Sequence, residues 1–328
     1  SAQLRQIPQA PVNIVAADWI PYSLPLRQPW RTSRGTLNER RGQLLRLTDT
    51  EGRSGWGDCA PLPEFGIDES AARAFAEDCA RQDLAARQAG ISLGHWLRGE
   101  PVMPTVAVNL NFGPIFTVDR DKLQAAAEQG FRIVKCKVGH DALDDEIAAL
   151  HRLARTLPTT IQLRLDANGA WTAAQAHRFI DACAGLPIEG LEEPLAAPEP
   201  RTLATLQAQA HFPLAIDESV HLLNAAFFAM PPVRRLVLKA ARHGALATSI
   251  ALAKRATDAG LEVVVTSALE SACGLAALAH LAAAMAPEAT HGLATGAIFQ
   301  HDLGKAPCLS GGRLHLAPGD GCGFKAAA

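Results

Sequence analysis

Residues 161–169 read Ile161-Gln162-Leu163-Arg164-Leu165-Asp166-Ala167-Asn168-Gly169. A run of five residues with Ile161, Leu163 and Leu165 apolar, closed by an acid and then by turn formers, predicts a strand that ends in a polar loop. The pattern repeats in both directions. Apolar runs fall at 106–110, 133–138, 161–165, 188–191, 214–216, 236–238, 263–266 and 292–295. Amphipathic stretches at 118–129, 142–155, 172–184, 199–209, 222–228, 244–259 and 271–285 separate them and predict helices. Eight strand-like runs with seven helices between them, spaced by 22 to 29 residues, predict an α/β fold: a (β/α) barrel of parallel strands. The alternative is an open, doubly wound sheet. The first strand–helix loop lacks the G-x-G-x-x-G that would support a dinucleotide fold.

Before residue 104 the pattern differs. Residues 12–22 and 42–48 read as strands joined through the turn Asp49-Thr50-Glu51-Gly52 to Gly55-Trp56-Gly57, and 69–88 and 93–98 read as helices. The expected organisation is therefore an α+β capping domain at 1–103 and a barrel at 104–298. The Gly- and Pro-rich segment 299–328 is expected to complete the cap, with a strand near 308–314 returning to the first unit.

Composition narrows the function. The 328 residues carry 31 Lys and Arg against 33 Asp and Glu, a net charge of −2, so binding to nucleic acid through bulk charge is not expected. No apolar run approaches the roughly 20 residues needed to cross a bilayer; the nearest, 275–285, is short and holds a His. The N-terminal residues show neither the basic nor the apolar region of a signal peptide. The seven cysteines are scattered and never form C-x-x-C, which fits reduced thiols in a cytoplasmic protein.

Barrel chemistry gathers at the C-terminal ends of the strands. The second run ends in Lys135-Cys136-Lys137, the third in Asp166-Ala167-Asn168, the fourth in Glu192-Glu193-Pro194, the fifth in Asp217-Glu218-Ser219, the sixth in Lys239 and the seventh in Ser267-Ala268-Leu269-Glu270. Asp166, Glu192 and Asp217 stand 26 and 25 residues apart, one per strand end. Three neighbouring carboxylates repel unless protonated or bridged by a cation, and a hard oxygen set favours Mg²⁺. The plainer reading is that each acid only caps the next helix. Lys135 and Lys137, two apart on one strand, share the interior face, with Lys239 across from them. A lysine beside other cations has a lowered pKa and becomes a usable base, although a buried lysine also serves as a structural ion-pair partner. A base beside a divalent ion can remove the proton next to a carboxylate.

These motifs, in this order, resemble the enolase superfamily, in its muconate-lactonizing-enzyme-like subgroup. The resemblance spans the chain and implies an enolase-like fold, a cap plus a modified (β/α)7β barrel. Within the subgroup the sequence resembles the o-succinylbenzoate synthase family in four stretches: 55–63, 163–171, 266–271 and 292–296. The resemblance implies a dehydratase acting on a small carboxylate substrate in menaquinone biosynthesis, using Mg²⁺ or Mn²⁺, with homo-oligomers in view and no nucleic-acid or membrane partner. By the same resemblance Lys137 takes the α-proton and Lys135 bonds the substrate carboxylate. Asp166, Glu192 and Asp217 bind the metal, supported by Asn168 and Glu218. Lys239 stabilises the developing enediolate, Ser267 and its neighbours hold the succinyl tail, and Arg34 and Phe65 reach over from the cap. Trp30, Trp56 and Trp171 read as packing residues. Ala240 and Ala294 depart from the family, Ala294 replacing an Asp that many relatives carry. Competing readings are an N-acylamino acid racemase or dipeptide epimerase, a muconate cycloisomerase, a Schiff-base aldolase at Lys239, and a non-catalytic metal-binding barrel.

Overall fold

The computed structural model describes residues 13–32 and 35–327. The chain opens with an antiparallel meander of β1 (Ile14–Thr32), β2 (Gly35–Asp49) and β3 (Ser54–Cys59). The turn after β2 forms because the Asp49 carboxylate accepts the N–H groups of Glu51 and Arg53, both at 2.9 Å, and Gly52 takes φ 80°. Helix α1 (Glu69–Gln88) starts at Asp68, whose side chain accepts the Ala71 N–H. It lies directly on β3, because a Cβ at Gly57 would stand 1.9 Å from the Ala76 carbonyl oxygen. Helix α2 (Leu93–Arg98) follows.

The barrel begins with β4 (Thr105–Val108) and β5 (Leu110–Pro114), two halves of one expected strand divided at Asn109. There follow α3 (Arg120–Glu128), β6 (Ile133–Lys137), α4 (Leu143–Thr156), β7 (Gln162–Asp166), α5 (Ala173–Ala182), β8 (Ile188–Glu192) and α6 (Pro200–Gln209). The remaining units are β9 (Leu214–Ile216), α7 (Ala225–Ala229), β10 (Arg235–Leu238), α8 (Leu246–Asp258), β11 (Glu262–Val265), α9 (Ala272–Met285) and β12 (Thr290–His291). Strands β5 to β11 form one parallel sheet in sequence order. The circle closes through β12, which pairs parallel with β4, while Gly292 N–H donates to Val265 O and Ser267 N–H donates to Gly292 O, each at 3.0 Å. The fold is therefore the expected α/β architecture, an antiparallel cap on a modified (β/α)7β barrel.

Two expectations are corrected in the last barrel unit and the tail. The eighth strand is Thr290–His291, not 292–295. Gly292 ends the ladder by bridging Thr266, whose Oγ1 would lie 2.3 Å from any Cβ there, and the chain then turns away. The tail hairpin, β13 (Cys308–Ser310) and β14 (Arg313–His315), adds to β4 rather than to the meander, with Leu314 beside Val106. The tail meets the cap elsewhere: Gln300 N–H donates to Pro25 O of β1 at 2.9 Å, and Cys322 N–H to the Asp83 carboxylate of α1 at 2.6 Å.

Helix α9 is apolar on every side, and all its residues except Met285 are buried. It runs between the cap, where it meets α2 and β3, and strands β4 and β11 of the barrel. A helix apolar all round belongs in a core, which accounts for the run at 275–285. Among the described residues no helix is long and apolar enough to cross a membrane.

Candidate active site

Strand register sets the acids side by side. Lys137 on β6 lies beside Asp166 on β7, Asp166 beside Glu192 on β8, and Glu192 beside Ala215 on β9, two residues before Asp217. All three acids are buried. Lys135 Nζ stands between two of them, 2.9 Å from Asp166 and 2.5 Å from Glu192. Lys239 Nζ bonds the Asp217 carboxylate, and Arg242 Nη1 reaches its other oxygen at 3.0 Å. Burial works against ionisation of Asp217, but Lys239, Arg242 and Lys135 outweigh it and hold the group at about 2. Burial likewise opposes ionisation of Asp166, and Lys135 and Lys137 hold it below the usual carboxylate value. At Glu192 burial dominates over Lys135 and raises the value.

The donors are all carboxylate oxygens, which suit a hard divalent cation. The Lys135 ammonium between Asp166 and Glu192 shows that a positive charge is accommodated there. Among the described residues no group of three acidic, His or Cys side chains is arranged to hold a metal ion: Asp166 and Glu192 share Lys135, and Asp217 is drawn to Lys239 and Arg242. Asp166, Glu192 and Asp217 are thus the residues whose chemistry fits a metal ion, drawn off these partners.

Glu193, next to Glu192, does something else. In the left-handed region at φ 42°, it turns its carboxylate to the loop after β9. It accepts the N–H groups of Asp217 (2.9 Å), Glu218 (3.0 Å) and Ser219 (3.2 Å), as well as the Ser219 hydroxyl. Adjacent acids thereby divide two tasks, Glu192 facing the site and Glu193 fixing the backbone that carries Asp217. Asn168, also left-handed at φ 46°, accepts from Lys137 Nζ at 3.1 Å and donates to Glu218 at 3.2 Å. Glu218 is raised to about 7, by burial first and then by Asp217. Lys137 is lowered from 10.5: burial leads, Lys135 and Lys239 add to it, and Asp166 and Glu218 oppose. In Lys135 burial is overcome by Asp166 and Glu192, so that this lysine stays protonated.

The strand ends open on a cavity of about 680 Å³, open solvent included; Asp166 lines it, whereas Glu192, Glu193 and Asp217 are not among its lining residues. Lys135, Lys137, Asp166, Asn168, Glu218, Lys239 and Ser267 line it together with Phe65. Phe65 comes from the cap; its ring lies 5.1 Å from Lys239 Nζ, and its carbonyl accepts from Arg242 Nε at 2.9 Å. Arg34 lies outside the described residues. Ser267 reaches the wall with its hydroxyl engaged: it donates to Glu270 at 2.6 Å and accepts from Leu269 N–H at 2.9 Å and Thr295 Oγ1 at 3.0 Å.

Several lining residues escaped the sequence reading. Asn109 sits at the break between β4 and β5, and Asn111 lies within β5; both line the cavity. Trp30, read as packing, lines the cavity as well, whereas Trp56 stacks edge-on to Phe324 and Trp171 lies against Phe179. Thr295 and Arg242 had no sequence signal. Ala294 lines the cavity and presents no charge.

Comparison with known proteins places the fold in a family. Residues 119–327 match the family described as enolase C-terminal domain-like, and residues 16–113 match the MenC N-terminal domain. The o-succinylbenzoate synthase of Pectobacterium atrosepticum is 33% identical over 303 residues, covering 85% of this chain and 90% of that protein. The o-succinylbenzoate synthase of Yersinia enterocolitica is 32% identical over 316 residues, covering 87% and 91%. The fold is shared with the L-Ala-D/L-Glu epimerase of Bacillus subtilis, with a TM-score of 0.86, 22% identity, and coverage of 97% and 100%. It is shared also with the muconate lactonizing enzyme of Pseudomonas fluorescens, with a TM-score of 0.83, 19% identity, and coverage of 96% and 97%. With both halves matched and lyases aligned along most of its length, the chain belongs to the enolase superfamily, as an enzyme of the muconate-lactonizing-enzyme-like group.

Proposed function

We propose that the chain dehydrates 2-succinyl-6-hydroxy-2,4-cyclohexadiene-1-carboxylate to o-succinylbenzoate, a step of menaquinone biosynthesis. The relatives that share about a third of its residues supply the substrate class. The structural observation that carries the chemistry is Lys137, a half-buried lysine on the cavity wall whose pKa is lowered, beside a second lysine that stays charged.

Lys137 Nζ takes the proton from C1 of the ring, and Lys135 and Lys239 set positive charge around the substrate carboxylate as negative charge builds on it. The C6–O bond then breaks, the Lys137 ammonium returns its proton to the departing hydroxide, and water leaves with the ring aromatic. Asn168 orients Lys137, and Glu193 holds the backbone carrying Asp217. Asp166, Glu192 and Asp217 would hold a divalent cation, Mg²⁺ by donor type, which supplies further electrostatic stabilisation of that carboxylate. The cap residue Phe65 closes one side of the cavity, and Ser267 and Thr295 form the wall toward the succinyl tail.

A second reading is racemisation or epimerisation of an N-acylamino acid or dipeptide, with Lys137 and Lys239 as opposed bases. Both lysines line one cavity, which favours it; Lys239 Nζ is already engaged by the Asp217 carboxylate, which disfavours it. The test is ultraviolet-monitored loss of the diene with Mg²⁺ and again with excess EDTA. Fast turnover abolished by EDTA is the expected result. Absence of turnover with Mg²⁺, together with α-proton exchange of N-succinylamino acids in D₂O, would overturn the dehydratase assignment in favour of the second reading.

A further inference from the structure

We propose that Arg40, a residue of the cap strand β2, is a positioning residue for the active-site wall: its guanidinium holds the loop 267–271 in the shape that receives the part of the substrate remote from the reacting carbon. This rests on the reading above that the cavity binds a carboxylate substrate.

Arg40 is 3% exposed. A buried guanidinium is costly unless its donors are matched, and here the matches are backbone carbonyls on two separate loops. Nε donates to Leu269 O at 3.1 Å, Nη1 to Pro61 O at 2.7 Å and Nη2 to Ala60 O at 2.8 Å. One side chain therefore sets the distance between the cap turn that carries Phe65 and the barrel loop that carries Ser267.

Leu269 is where the restraint is needed. It has φ 62°, a conformation that a branched side chain avoids, yet it is buried and lines the cavity. Its N–H is held by the Ser267 hydroxyl and its carbonyl by Arg40. The far end of the loop hangs from the cap too, since the Asp58 carboxylate accepts Ser271 N–H at 2.9 Å and the Ser271 hydroxyl at 2.8 Å. Tyr22 donates to the other Asp58 oxygen at 2.6 Å. The loop is thus suspended from the meander at two points, and Arg40 is the one next to the strained residue.

The test uses the full chain carrying Arg40→Met or Arg40→Lys, each alone and combined with Leu269→Gly. Glycine adopts positive φ without restraint. Arg40→Met should raise KM and weaken o-succinylbenzoate binding about tenfold or more while kcat falls less than about threefold, the split expected when binding geometry rather than chemistry is lost. Arg40→Lys should recover part of the loss. In the Leu269→Gly background the effect of Arg40→Met should shrink to about threefold or less, because the two residues share one restraint. A fall in kcat at unchanged KM, or full additivity of the two substitutions, would overturn the proposal. A crystal structure of the Arg40→Lys or Arg40→Met protein decides the matter independently of any substrate. Leu269 leaving the left-handed region supports the role, and an unmoved 267–271 loop sinks it. Failure of the wild-type chain to turn over the diene counts against the proposed function and leaves that structural readout standing.

Discussion

Lys137 and Lys135 are two residues apart on one strand and are driven in opposite directions. Lys135 sits between two carboxylates and keeps its proton; Lys137 hydrogen-bonds the neutral Asn168 amide, and burial, with its two lysine neighbours, pushes it down from 10.5 against the pull of Asp166 and Glu218. A lysine base works only when neutral, so activity should rise with pH through an apparent pKa below 10.5. Lys137→Ala should lower kcat by roughly 10²–10⁴ and remove that limb from the pH–rate profile. A profile unchanged in the variant would remove Lys137 from the chemistry. At this scale the sequence was legible where one strand end follows another at a fixed spacing, since the register of a parallel barrel converts that spacing into adjacency. It read Trp30, a β1 residue on the cavity wall, as packing, and it was silent on Thr295, on Arg242, which reaches the Asp217 carboxylate behind the wall, and on the opposite duties of Glu192 and Glu193. The latter depend on a backbone turn at Glu193 that composition does not encode.

Helices were the most readable elements, and α5 shows why. Thr172 and Gln175 form a reciprocal cap: Gln175 N–H donates to Thr172 Oγ1 at 3.3 Å, and Thr172 N–H donates to Gln175 Oε1 at 3.0 Å. The helix has a marked start, an apolar stripe of Ala176, Phe179 and Ile180, and an end before Gly185. Thr172→Ala should cost about 1 kcal/mol, read as a lower denaturant midpoint at unchanged slope. The strands misplaced from sequence were those whose partners are distant. Apolar character at 292–295 satisfied a strand pattern, but Gly292 is the last residue able to approach Thr266. The tail hairpin had two available edges, and local sequence does not say that β4 would receive it in place of the meander.

For the molecule as a whole, two buried histidines report on acid stability. His280 Nδ1 accepts Gly94 N–H at 3.0 Å, and His291 Nδ1 accepts Val265 N–H at 3.0 Å, so both rings are neutral with the proton on Nε2. Burial pushes both down from 6.5 to about 4. The unfolded chain therefore takes up these protons first. The stability they protect is full above pH 6.5 and drains away as the pH falls toward 4. Each contributes up to about 3 kcal/mol over that window by linkage. Chemical denaturation at pH 7, 5.5 and 4.5 should show the decline, and His280→Gln, which keeps an acceptor for Gly94 but takes no proton, should flatten part of it.

Helix α9 has a consequence for the recombination of such enzymes. Its apolar surface is bedded on one side by the cap and on the other by barrel strands, and Asp58 of the meander holds Ser271, the residue that caps it. Neither half can drift alone. A substitution that reshapes the bed in residues 55–98 therefore strains the packing along 272–285. A chimera that joins this cap to a cousin's barrel has to carry α9 across with it, or leave a trough lined on one bank only.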